Sequence, residues 1–239
     1  MEIFLKLFLV HILGDFVFQP TKWVKDKEKK KIKSIKLYIH ILIHAALLIG
    51  TFMFDVKNYW KIFLLIITSH FLIDIVKLYF QKEKTKRNWF FIDQLFHLIF
   101  ILIASSFFVD YSILKASLNF EKIILFIISI LIITHVSSIV VKLLISKWNP
   151  DESNSGKSSI ENAGKYIGIL ERLFVFIFII TNHWEAIGFL LAAKSVFRFG
   201  DLTSGKDRKL TEYILIGTLL SFGIAILIGL LYLEILKIL

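Results

Sequence analysis

The chain has no cysteine and only two prolines, and its charges are confined to a few short stretches. Without cysteine there is no disulfide framework, no thiolate metal site and no iron–sulfur ligation. Long stretches also lack the turn chemistry that divides a soluble fold into short elements. The first stretch lacks a basic leader and a small-residue cleavage site, so it is expected to stay as a helix rather than leave as a signal peptide. What fills the sequence instead is apolar: 56% of the 239 residues are hydrophobic, with mean hydropathy +0.73. That composition implies membrane-spanning helices.

Apolar segments fall at about 1–19, 35–54, 60–80, 89–110, 120–146, 166–182, 184–199 and 211–236. A bilayer core of about 30 Å needs about 20 helical residues, and most segments meet that length. The expected fold is all-α, a polytopic transmembrane bundle of about eight helices. The alternative is six plus a re-entrant hairpin, because the sixth and seventh segments are short and joined at "TNHW". The expected organisation is a four-helix bundle over 1–110, a fifth helix within 111–148, a polar linker over 149–165, and a helical hairpin with a last helix over 166–239. No internal repeat is convincing.

The net charge of +10 does not point to nucleic acid, because the lysines cluster between hydrophobic segments. There they act as topology signals at an anionic membrane surface. The loop after the first segment holds Lys22, Lys25, Lys27, Lys29, Lys30, Lys31, Lys33 and Lys36; the loop after the third holds Lys82, Lys84, Lys86 and Arg87. Alternate loops are poorer in charge. Positive loops stay inside, so these face the cytoplasm and both termini lie outside. The expected location is a prokaryotic inner membrane. The polar linker contains "GKSS", but Asp151 stands where a phosphate loop needs its first glycine, and no buried strand precedes it, so that reading is rejected.

Four of the apolar segments carry histidine or aspartate at a spacing of four. They read "HILGD" (His11, Asp15), "HILIH" (His40, His44), "HFLID" (His70, Asp74) and "DQLFH" (Asp93, His97). That spacing puts each pair on one helix face. The alternating topology brings all four pairs to one depth, near the cytoplasmic boundary. Facing helices with paired inward ligands are a known way to build a metal centre. Imidazole and carboxylate without sulfur suit zinc first, then manganese or iron. Eight ligands exceed one ion's needs, so either two ions share them or some orient the others. A purely structural polar network and a proton or ion path remain as alternatives, and haem would leave the aspartates without a role. Asp15, Asp74 and Asp93 are the candidate catalytic bases.

Gln19 and Lys77 adjoin the pairs on the cytoplasmic side. Glu171, Arg172, Lys194 and Arg198, in "GILER" and "AAKSVFRF", form a second polar set that would bind an anionic group or lock the last hairpin. His135 and His183 stand apart. The outer halves of the first four segments are nearly all apolar, apart from Glu2 and Lys6. That favours a one-sided site over a transport route. The expected function is therefore a metal-dependent hydrolase or phosphoesterase acting on an amphiphilic anionic substrate, such as a phosphorylated or ester lipid. The alternatives are an ion or metal transporter and a structural membrane protein.

The run "HILGDFVFQP" with "HILIH", "HFLIDIVK" and "DQLFH" resembles a family of prokaryotic multi-pass membrane proteins catalogued as a domain of unknown function, marked by a His-x-x-Gly-Asp-Phe-x-x-Gln start. The likeness covers about residues 5–100, and the "GILER" and "AAKSVFRF" segments resemble the C-terminal part of its longer members. It implies a polytopic helical fold and carries no activity with it. The His/Asp layout is also similar, at a distance and in pattern alone, to that of bacterial membrane-bound metal-dependent hydrolases.

Overall fold

A computed structural model describes residues 1–107, 118–146, 163–199 and 205–239. These residues are helical throughout, with no strand among them. The chain divides into two compact units, Met1–Ile128 and Ser129–Leu239. The expected linker at 149–165 lies outside the described residues up to position 162.

The first unit is built on four mutually packed helices. These are α1 (Glu2–Ile12, extended by a π turn over Leu13–Val17), α3 (Ile35–Thr51), α4 (Val56–Phe80) and α5 (Lys86–Phe107). Contacts run from α1 to α5, α5 to α4, α4 to α3 and α3 back to α1, closing a ring. The pattern of buried positions explains the packing. On α3, Leu37, His40, His44 and Leu48 are buried; on α4, Ile62, Ile66, His70, Asp74 and Leu78 are. Spacings of three and four make one inward stripe on each helix. One end of the ring is an apolar core of Leu7, Val10, Leu48, Phe52, Ile62, Phe63, Ile66, Ile101 and Ala104. Toward the other end the inward positions include all the buried histidines and aspartates, with Leu37 and Leu78 beyond them.

The lysine-rich stretch expected as a loop is instead the helix α2 (Thr21–Lys30) with a short 3₁₀ turn at Lys31–Lys33. Lysine and glutamate are good helix formers. Pro20, lacking an N–H and held at φ −63°, ψ 147°, ends the previous helix and starts this one. α2 meets the first helix at 84°. Ser34 accepts from the Lys36 N–H to start α3 and donates to Asp26 of α2 at 2.6 Å. The charges near the start of α1 are neutralised locally. Lys6 pairs with Glu2 at 2.6 Å and stands over the rings of Phe52 and Phe120.

α6 (Leu118–Leu131) belongs to the first unit as far as Ile128; in the second unit it runs through a π turn (Ile132–Val136) into α7 (Ser137–Ile145), and α8 (Ala163–Ile180), α9 (Trp184–Phe199) and α10 (Gly205–Ile238) follow. α10 packs along α8, burying Val175, Ile179, Phe222 and Ala225. Gly229 permits the approach: a methyl there would stand 2.9 Å from Ile179 Cδ1.

Among the described residues four helical stretches are long and apolar enough to cross a membrane: Val56–Phe80, Glu83–Ser106, Phe120–Ile145 and Thr211–Ile238. The bent N-terminal pair makes a fifth if it counts as one span. The other segments expected to cross form shorter helices: 17 residues in α3, 18 in α8 and 16 in α9.

Candidate metal centre

Each of the four helix pairs delivers its side chains to the polar end of the first unit. His11, His40, His44, His70, Asp74, Asp93 and His97 are all buried, and the Asp15 side chain is only 10% exposed. The π turn holds Asp15 at the end of the first helix, where its carboxylate enters the bundle. Around Asp15 Oδ1 stand three imidazole nitrogens: His44 Nε2 at 3.0 Å, His40 Nε2 at 3.2 Å and His70 Nε2 at 3.4 Å. The Nε2 atoms of His40 and His70 are 3.1 Å apart.

Hydrogen bonding alone serves this arrangement poorly. Two facing Nε2 atoms satisfy each other only if one carries the proton and the other is bare. Three ring nitrogens aimed at one carboxylate oxygen also compete for its lone pairs. Coordination serves it well. Ligand atoms about 2.0–2.2 Å from an ion stand about 2.8–3.1 Å apart as octahedral neighbours and about 3.3–3.6 Å apart in a tetrahedron. The four measured separations, 3.0 to 3.4 Å, span those two ranges. Asp15, His40, His44 and His70 thus fit the ligand set of one divalent ion.

The remaining predicted residues surround this set. Asp74 Oδ2 lies 3.8 Å from His40 Nε2 and receives a 2.8 Å bond from Lys27 Nζ. Asp93 Oδ2 accepts from Lys77 Nζ at 2.7 Å. The Gln19 amide nitrogen is 2.8 Å from His40 Nε2. His11 and His97 stack with ring centroids 5.0 Å apart, and His97 also lies 4.1 Å from the His70 ring.

Three participants have no counterpart among the sequence expectations. Lys27, 4% exposed, forms the buried pair with Asp74, although it was read as one of eight topology lysines. Gln94 links three members: its Oε1 is 3.1 Å from His11 Nε2, and its amide reaches Asp93 Oδ2 at 3.1 Å and Asp15 Oδ2 at 3.4 Å. Gly14 lies against the His44 ring so closely that a methyl there would overlap it. A small residue beside Asp15 was the one legible signal among these.

The second polar set sits in the other unit. Arg172, 3% exposed, donates from Nε to the Ile133 carbonyl at 2.6 Å, and its terminal nitrogens bond Ser138 at 2.6 Å and Ser221 at 3.0 Å. Its guanidinium therefore ties α8 to the π turn, α7 and α10. Lys194 donates to Glu171 at 2.7 Å, tying α9 to α8. Of these bonds only Lys194–Glu171 joins the two helices of the hairpin. The Arg198 side chain lies outside the described residues. His135 bonds its neighbour Thr134, and His183 is exposed beside Glu185.

No curated protein and no solved structure matches this chain. Residues 3–126 match the family described as "Protein of unknown function (DUF3307)", a stretch that takes in all four His/Asp pairs, α2 with Lys27, and Gln94. Covering more than half of the chain, that match makes it a member of the DUF3307 family.

Proposed function

We propose that the protein is a membrane-embedded, metal-dependent hydrolase or phosphoesterase whose divalent ion is held by Asp15, His40, His44 and His70. The observation that carries the reading is the convergence of three histidine Nε2 atoms on one carboxylate oxygen. A bound ion of this kind supplies Lewis acidity and lowers the pKa of a coordinated water. Zinc with these four ligands would have to expand to five positions to admit water, whereas manganese or iron keeps positions open in a six-coordinate shell. Asp74 is the carboxylate beside this set that would take up a proton, held in place by Lys27.

Apolar matter supports the choice of substrate class. An open, apolar groove of about 230 Å³ between α4 and α5 is lined by Leu72, Ile73, Val76, Trp89, Ile92 and Phe96, with Lys77 and Asp93 also bordering it. It suits the chain of an amphiphile with its anionic group on Lys77. The apolar core beyond the site argues against transport, because among the described residues the bundle continues past it as the apolar cluster of Leu7, Leu48, Ile62 and Ile101. In this reading the shorter helices α1, α3, α8 and α9 also cross the bilayer, giving eight spans. The site then faces the cytoplasm of a prokaryotic cell, since α2 bears the densest positive charge.

The test is elemental mass spectrometry of the detergent-purified protein beside a folded His40→Ala/His70→Ala variant. Near-stoichiometric zinc, manganese or iron, lost in the variant, is expected, together with metal-dependent turnover of a phosphorylated or ester lipid in vesicles. No metal after reloading would overturn the ion, and metal without turnover would overturn the hydrolase.

A further inference from the structure

The ion just proposed leaves half of the polar layer unexplained. Among the described residues, the buried side-chain atoms without any hydrogen-bond partner are His11 Nδ1, Asp93 Oδ1 and both ring nitrogens of His97. All belong to the same layer, on the side of the site away from His40. Leaving such groups unpaired inside a protein costs stability, because each has given up its bonds to water. A cluster of them marks the place of something that binds there.

A further observation points to a cation. The void of about 10 Å³ lined by His11, His44, His70 and His97 is lined also by six other residues, five of them apolar, and touches neither Asp15 nor Asp93; it is room for about one water-sized sphere and not the ion's seat. Asp15 faces two ways. Its Oδ1 serves His40, His44 and His70, while its Oδ2 lies 3.8 Å from the unpartnered His11 Nδ1. A carboxylate whose oxygens face two clusters of nitrogen donors is placed to bridge two ions. Ligand atoms of Asp15, Asp93 and His97 come within 4.8 Å of one another, as do those of His11, His70 and His97.

We infer that the layer binds a second divalent cation, held by His11, His97 and Asp93 with Asp15 bridging to the first. This rests on the mononuclear site proposed above. Its mixed imidazole–carboxylate donors suit manganese, iron or zinc. Two ions about 3.5–4 Å apart clamp the attacking and leaving oxygens of an in-line displacement, so a phosphoester becomes the favoured substrate class over a carboxylic ester. Lys77, paired to Asp93, stands where the anionic group would arrive.

The experiment uses the full chain in detergent, stripped with chelator and reloaded with Mn²⁺. Metal per chain is counted, and the electron paramagnetic resonance spectrum is recorded. The expected result is two ions per chain with an exchange-coupled spectrum, falling to one ion and an uncoupled spectrum in His97→Asn. One ion per chain with an uncoupled wild-type spectrum overturns the second site and leaves the first standing; a water then fills the void. No ion at all overturns both. The wild-type spectrum decides the matter by itself if His97→Asn does not fold.

Discussion

Adding one methyl group at Gly14 should separate a metal centre from a polar packing layer. In Gly14→Ala the new Cβ would come within 2.8 Å of His44 Cδ2 and closer still to Nε2 and Cε1. Carbon atoms at their best separation stand about 3.5–4.0 Å apart, so the ring must retreat by more than an ångström. The adjoining void of about 10 Å³ is too small to take the ring, and His44 is 1% exposed, with its centroid 3.9 Å from the tilted His70 ring and 4.6 Å, edge to face, from His40. Overpacking of this kind costs about 1–3 kcal/mol of stability. Displacing a ligand by that distance should also weaken ion binding at least as much as losing a supporting residue does, about 10- to 100-fold. Competition against a chelating dye measures the affinity, and thermal unfolding in detergent with and without the ion measures the stability. A variant that binds Mn²⁺ as tightly as wild type would refute the placement of His44 among the ligands.

The buried Lys27–Asp74 pair makes Lys27→Met strongly destabilising, by about 3–5 kcal/mol for one partner left uncompensated, while Lys25→Met on the exposed face of α2 should leave the melting temperature unchanged. Arg172→Lys removes the fork that joins Ile133, Ser138 and Ser221; hydrogen exchange should rise in α7 and α10 while metal content stays at the wild-type value. Chelation should lower the melting temperature, since an ion present at about 100 times its Kd stabilises by about 2.7 kcal/mol; identical melting curves with and without chelator would contradict a resident ion.

The helical period made much of this site legible. Residues four apart share a face whatever surrounds them, so "HILGD", "HILIH", "HFLID" and "DQLFH" each announced an inward pair before any packing was known. What escaped were residues whose role depends on partners far along the chain. Nothing local separates Lys27 from its neighbours; only α2 folding back at Pro20 brings it to Asp74, 47 positions away. Gln94 is no metal ligand and has no partner four residues away, so periodicity passed over it. Arg172 read as an anion-binding residue because the serines that hold it lie 34 and 49 positions off. Short spans were hard to judge for another reason. Hydropathy reports how apolar a segment is, and α3, α8 and α9 are apolar but end within 16 to 18 residues.

The two π turns make chain length part of the design. Each wide turn carries one residue more than the α-helix around it would need, and each lies beside a buried polar group: Asp15 within the first, the Ile133 carbonyl that receives Arg172 within the second. Deleting a single residue there, even an apolar one such as Leu13 or Ile132, would rewind the turn. Everything downstream would rotate by about 100°. The apolar side chains of these two turns, Leu13, Phe16, Val17, Ile132, Ile133 and Val136, should therefore accept substitution by other apolar residues, whereas neither turn should accept a change in length. A scan of single deletions along the first and sixth helices would find its sharpest losses at side chains that touch no ligand.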